Sequence, residues 1–297
     1  MALFGKRDPA QEDAARADRE DQQRLAQGGL PRGAETRLRE LRGKPFFTSS
    51  FSVNEFALAS AEGVRPLGQV MGSTIFHVGW QYTPIYQSTE MVTLSHAQYQ
   101  ARHLALSRLQ QEARLLGAHG VIGVRLIRKS HEWGENLIEL TAQGTAVALA
   151  DSPVPEHPFV CALSGQDFYA LRRGGFFPVG FAFGTCTYYC VASYSTQWAG
   201  QGGFFGGGAV RNMELTDYTQ AAYTARHAAT SRLTDEAKQV RAEGVVGMTI
   251  QDNIRIHEVE VNKQQRRDLI VDFAAYGTAI VSTGSDVPAI EYALPLA

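Results

Sequence analysis

The chain has 297 residues, 44% of them hydrophobic and 20% charged, with a formal net charge of −2, enough for two domains that each bury a core of their own. Such a composition excludes wholesale disorder, and 28 basic against 30 acidic residues, with no basic run longer than two, disfavour a dedicated nucleic-acid binder. Three cysteines rule out a disulfide scaffold. The opening Met1 to Asp8 runs into charges without the apolar segment of a signal peptide, so the expected compartment is the reducing cytoplasm.

Residues 1–44 carry ten Lys/Arg and eight Asp/Glu and few large apolar side chains. They read as a charged, flexible or helical tail, with Ala10 to Gln27 rich in helix formers but lacking an apolar stripe, so that a helix there would be solvated. Beyond the tail, the chain repeats itself. At an offset of 124, at least half of the positions from Tyr99 to Val124 are identical in Tyr223 to Met248, including Arg102/Arg226, His103/His227, Ser107/Ser231, Arg108/Arg232 and Glu112/Glu236. Upstream, an offset of 112 pairs Phe47/Phe159, Gly68/Gly180 and Gly72/Gly184; downstream, an offset of 133 pairs Gly144-Thr145-Ala146 with Gly277-Thr278-Ala279. The growing offset places two insertions in the second copy, one in the Gly-rich stretch 199–208 and one in a hairpin around 254–268. The organisation expected is therefore a tail (1–44), repeat 1 (45–151), a Pro-containing linker (152–157), repeat 2 (158–284) and a C-terminal tail (285–297).

Within each copy, Leu67 to Phe76 and Val179 to Val191 have strand composition. Ala101, Leu104, Ala105, Leu109, Ala113 and Leu116 fall at helical spacing, and Gly117 ends that helix. Val121 to Ile127 and Leu137 to Leu149 follow as strands, repeated by Val245 to Ile250 and Leu269 to Val281. One long helix on a small antiparallel sheet makes each copy a two-layer α+β domain.

The order Gly68-x-x-x-Gly72-x-x-x-Phe76, then Arg102-x-x-Ala105-x-x-x-Leu109-x-x-x-Ala113-x-Leu115-Leu116-Gly117-Ala118, then Val121-Ile122-Gly123 and Gly144-Thr145-Ala146-Val147 resembles the YbjQ-like family, which carries a heavy-metal-binding label. The resemblance covers most of the chain outside the tail. It implies two tandem dodecin-like subunits, assembly into rings of five and no established catalytic activity.

Candidate sites follow from what the copies share. His103 and His227, with His131-Glu132 and His257-Glu258, supply imidazoles and carboxylates suited to Zn, Ni or Cu, although none forms a compact ligand motif. Cys186 and Cys190 lie about 13 Å apart if they belong to a strand, too far for one ion, and read as buried thiols. Arg108 with Glu112, and Arg232 with Glu236, are spaced to pair along the helix flank, while His103, Ser107, His227 and Ser231 project from the side opposite the apolar group. Keeping the same His, Ser, Arg and Glu in both copies points to an interface between repeats or subunits. Trp80, Tyr82 and Tyr86 in copy 1, with Trp198, Phe204 and Phe205 in copy 2, mark aromatic loops for a membrane surface or protein partner. No nucleophile elbow, carboxylate pair or Cys–His arrangement speaks for an enzyme. The expected function is a non-catalytic, homo-oligomeric, ring-forming structural or binding module, and five chains in two stacked layers are the arrangement that reconciles two repeats per chain with a five-fold ring.

Overall fold

The computed structural model describes residues 9–79, 85–130, 137–150, 152–200 and 212–284. Two helices, α1 (Pro9–Ala26) and α2 (Arg32–Leu41), precede repeat 1. Repeat 1 contains α3 (Val53–Ala61), β1 (Val64–His77), β2 (Thr89–Glu90), α4 (Val92–Leu116), β3 (Gly120–Ser130) and β4 (Leu137–Leu149). Repeat 2 contains β5 (Phe159–Val160), α5 (Gly165–Arg173), β6 (Phe176–Cys190), α6 (Tyr194–Gly200), α7 (Thr216–Gln239), β7 (Gly244–Val261) and β8 (Gln264–Ser282). The class is α+β, with two copies of one arrangement.

In each copy the long helix lies across three antiparallel strands whose last strand sits in the middle, in the orders β1-β4-β3 and β6-β8-β7. Ala101, Ala105, Leu109 and Ala113 of α4, and Ala225, Ala229, Leu233 and Ala237 of α7, are buried on the sheet. Small residues let helix and strand approach closely, and one glycine in each copy lets the backbones touch. A Cβ on Gly72 would lie 2.0 Å from the Ala105 carbonyl oxygen, and one on Gly184 1.9 Å from that of Ala229. Gly117 closes α4 at φ 74°; Arg241 takes the corresponding left-handed position after α7 at φ 57°, which strains a side chain that has a Cβ. The β7–β8 hairpin turns on Asn262 and Lys263 at φ 53° and 64°, the two-residue turn with positive φ at both positions that matches strand twist.

The two sheets run β1-β4-β3-β5 and β2-β6-β8-β7. Each borrows an edge strand from the other half of the sequence: β5 of repeat 2 extends β3 in parallel, and β2 of repeat 1 pairs antiparallel with β6.

Several features were not apparent from pattern alone. Helix α4 begins at Val92, ahead of the apolar spacing that starts at Ala101, because Ser95 and Gln98 are buried by hydrogen bonds to repeat 2 rather than by an apolar stripe. Helix α3 carries a full capping box between Ser52 and Glu55, and α5 a Ser164 side-chain cap on the Asp167 amide. The N-terminal segment was expected to be solvated and is instead docked. Leu30 and Leu38 are 5% and 0% exposed and join the core around α4, while Arg32–Glu20, Arg32–Asp21 and Arg24–Glu35 ion pairs tie α1 to α2. Ala34, Leu38 and Leu41 do fall at helical spacing along α2, but the stripe is only ten residues long and is crowded by charges.

Candidate interaction site between the repeats

Helix α4 of repeat 1 covers the face of the repeat 2 sheet that α7 leaves open. From α4, the Arg102 guanidinium lies over the Tyr99 and Phe183 rings, at 4.8 Å and 4.5 Å from their centroids, and pairs with Glu236. The other Glu236 oxygen accepts the Phe183 amide at 2.7 Å. Arg232 takes Glu90 in a two-pronged contact of 2.7 and 2.8 Å and donates to the Thr185 carbonyl at 2.6 Å. Burial works against ionisation of Glu90, but Arg232 and the Ser95 hydroxyl outweigh it and hold the carboxyl below its ordinary pKa. Hydrogen bonding to Glu90 raises the Arg232 pKa in turn.

Beneath these pairs lies a buried polar network. Gln98 bonds both Thr185 and Thr187; Thr187 donates to Asp272 at 2.6 Å; and Arg128 from β3 and Arg255 from β7 each reach the other Asp272 oxygen at 3.1 Å. The Asp272 carboxylate has no exposed surface, so Thr187, Arg128, Arg255 and Gln98, the last donating at 3.3 Å, replace its water. Nearby, Asp268 holds Tyr189, Arg266 and the Ala192 amide, and Arg266 donates to the Ile85 carbonyl of repeat 1. Burial, followed by the Asp268 carboxylate, pushes the Tyr189 phenol up. A cleft of about 510 Å³ opens between α4, the linker and β6, with His103, Ser107, His157 and Gln239 on its walls.

Repeat 1 reproduces the inner half of this arrangement with different outer partners. Glu112 accepts the Met71 amide at 2.9 Å, as Glu236 does that of Phe183, and Arg108 donates to the Ser73 carbonyl at 2.6 Å, as Arg232 does to Thr185. Where Glu236 meets Arg102, however, Glu112 meets Arg37 of α2, and where Arg232 meets Glu90, Arg108 meets the Leu25 carbonyl of α1. Burial raises the Glu112 pKa against the opposing Met71 amide and Arg37, and burial lowers that of Arg108.

These contacts correct the expected pairing of Arg108 with Glu112 and of Arg232 with Glu236. Each side chain turns toward its own strand backbone and a partner from elsewhere in the chain, because the strand at Gly72 and Gly184 is close enough to capture it. The expected interface set therefore divides. Arg232 and Glu236 lie between the repeats, Arg108 and Glu112 lie under the N-terminal helices, His103 and Ser107 line the cleft, and His227 and Ser231 are exposed. Arg102, Glu90, Gln98 and Asp272 were missed. Arg102/Arg226 was in view as an identical pair, but nothing local marks which copy of a repeated residue finds a partner.

Among the described residues the metal candidates are not brought together. His257 stands edge-on to the Tyr189 ring, Glu258 pairs with Arg267, and His131-Glu132 lies outside the described residues. Among the described residues no group of three or more His, Cys, Asp or Glu side chains could hold an ion. Cys161, Cys186 and Cys190 are buried free thiols, with burial pushing Cys161 and Cys186 up to about 12. Of the aromatic-loop residues, Trp80, Tyr82, Phe204, Phe205 and the Trp198 side chain lie outside the described residues, and Tyr86 is 73% exposed. No helix among the described residues is long and apolar enough to cross a membrane.

Comparison with known proteins bears on this arrangement. Residues 59–150 and 203–283 match the YbjQ_1 family, whose description reads "Putative heavy-metal-binding". The chain is 38% identical over 244 residues to an encapsulin nanocompartment protein of Mycobacterium tuberculosis, an alignment covering 80% of this chain and 87% of that relative. No solved structure matches.

Proposed function

The chain belongs to the YbjQ_1 family, with two copies of its domain in tandem, and we propose that it is a non-catalytic structural protein that self-assembles and serves a protein nanocompartment. The observation that carries the reading is the contact between the repeats: two sheets that exchange edge strands and join through Arg102–Glu236, Arg232–Glu90 and the Asp272 network. The relative named for an encapsulin nanocompartment supports it. Buried charges that are all matched specify a partner and a register, which is the work of an assembling module. Five chains in two stacked layers would separate the repeats of one chain between layers. Their side-by-side contact favours both repeats in one layer, so that a closed ring holds whole chains and an even number of repeats.

The test is the mass of the purified full chain across concentration, with particle images down the symmetry axis. A multi-chain particle with an even repeat count is expected, and single chains at all concentrations would overturn the reading. Elemental analysis of the same sample addresses the family's metal label. Zinc, nickel or copper in fixed ratio, lost in His103→Ala/His227→Ala, would replace the structural reading with a metal-binding one.

A further inference from the structure

Matching the repeats position by position shows that each repeat presents an unfinished half of the interface between them. Repeat 2 presents the features that repeat 1 inserts into its neighbour. Glu214 corresponds to Glu90, one residue before a helix N-cap of similar geometry, Leu215 at φ −88°, ψ 85° against Met91 at φ −84°, ψ 76°. Tyr223 and Arg226 correspond to Tyr99 and Arg102, and all three of Glu214, Tyr223 and Arg226 are exposed. The β3 edge that receives β5 is closed, with Val121 and Leu126 0% and 4% exposed, whereas on β7 their counterparts Val245 and Ile250 are half-buried and 47% exposed. A Cβ on Gly120 would strike the Phe159 ring at 2.3 Å; one on Gly244 meets nothing within 4 Å.

Repeat 1 carries the matching receptors. Phe47, the counterpart of Phe159, stacks on Phe56 as Phe159 does on Phe168, at 5.7 and 5.8 Å, but without a neighbouring strand edge it stays 38% exposed. Ser50 bonds Thr145 through its amide at 3.0 Å, as Ala162 bonds Thr278 at 2.9 Å, so the leading segment is already set in the conformation that pairs. Arg108 is 8% exposed, and the Leu25 carbonyl stands where Arg232 has a carboxylate. Arg37, half exposed, stands where Glu236 has the buried Arg102.

We infer that the surface of repeat 1 around Arg108 and Glu112 docks repeat 2 of a second copy of this chain, and that helices α1 and α2 hold this surface until the second copy displaces them. Charge complementarity identifies the occupant. Glu214 supplies the carboxylate that Arg108 lacks, Arg226 supplies the guanidinium for Glu112, and the β7 edge receives the Phe47 segment, continuing the contact present within the chain. The interface is head-to-tail, so copies add in one direction until the rotation closes a ring. A neutral carbonyl and a half-exposed arginine are weaker partners for buried charges than a two-pronged ion pair, which makes the arm displaceable.

The inference rests on the self-assembly proposed above, and the experiment separates the two. The full chain, Glu214→Arg, Arg226→Glu and Arg37→Ala are compared by mass against concentration, with trypsin cleavage after Arg37 and Arg39 (after Arg39 alone in Arg37→Ala) as the readout of arm release. Glu214 and Arg226 are exposed, so their variants keep the fold. Glu214→Arg and Arg226→Glu are expected to raise the half-assembly concentration about 100-fold, because each sets like charges face to face. Arg37→Ala is expected to lower it, and the arm is expected to be cut faster in assembled than in single chains. Assembly unchanged in both charge reversals, or an arm equally protected in assembled and single chains, would overturn the inference and leave the structural reading intact. Single chains in every sample would overturn both.

Discussion

Met71 and Phe183 occupy one position in the two repeats, and Ile75 and Thr187 another. In repeat 1 these side chains are 51% and 65% exposed; in repeat 2 they are 3% and 0% exposed. The chemistry runs against the exposure, since a threonine is buried where the repeat 1 sheet shows an isoleucine to solvent. Repeat 2 uses its covered face for a polar network that fixes one partner in one register, whereas repeat 1 keeps an apolar face open. Sequence identity between the copies marks what is common to them, namely the helix-on-strand contact, and the differences mark what each face meets.

The comparison breaks most sharply where the copies are most alike. Gly72→Ala and Gly184→Ala each drive a methyl into helix backbone, so both are expected to cost more than ~4 kcal/mol of unfolding free energy, about equally, by denaturant titration. A large difference between the two would mean that one helix can lift off its sheet and the other cannot.

The outer partners should separate the repeats. Arg102→Ala leaves Glu236 buried without its cation and is expected to cost about 3–5 kcal/mol, whereas Arg37→Ala, its counterpart on a half-exposed side chain, should cost less than ~1 kcal/mol. Equal losses would show the arm to be as firmly seated as the second repeat.

A smaller effect lies in pH. The Glu112 pKa is raised in the folded chain, so the folded state holds that proton more tightly and stability falls as pH rises from its unfolded value toward its folded one; the Glu90 pKa is lowered, so its contribution is present at neutral pH and lost as pH falls through the folded value. Glu112→Gln is therefore expected to gain on the wild type as pH rises above 4.5, whereas the deficit of Glu90→Gln is expected to be constant above 4.5 and to shrink as pH falls below it, which unfolding midpoints taken on both sides of pH 4.5 would read out. Last, the buried thiols Cys161 and Cys186, held up to about 12, should resist alkylation at pH 8 in the native protein and react once it is unfolded, without any change in stability.

Much of this architecture was legible from residue order. The duplication, the strand–helix–hairpin order and the helix faces follow from identical positions and from spacing, because local geometry and the burial of one helix face repeat wherever the residues repeat. The candidate site was half legible: Arg108, Glu112, Arg232 and Glu236 were singled out, but with the wrong partners, since spacing along one helix favours i, i+4 pairing and says nothing of the strand crossing beneath it.

What only the tertiary structure decided was which copy of each repeated residue is satisfied by which segment. Arg102 and Arg226 have the same neighbours in sequence, yet one is buried on Phe183 and the other faces solvent. The reason is physical: a repeat specifies the same surface twice, but a chain of two has one internal junction and two ends, and the N-terminal helices happen to reach only one of them.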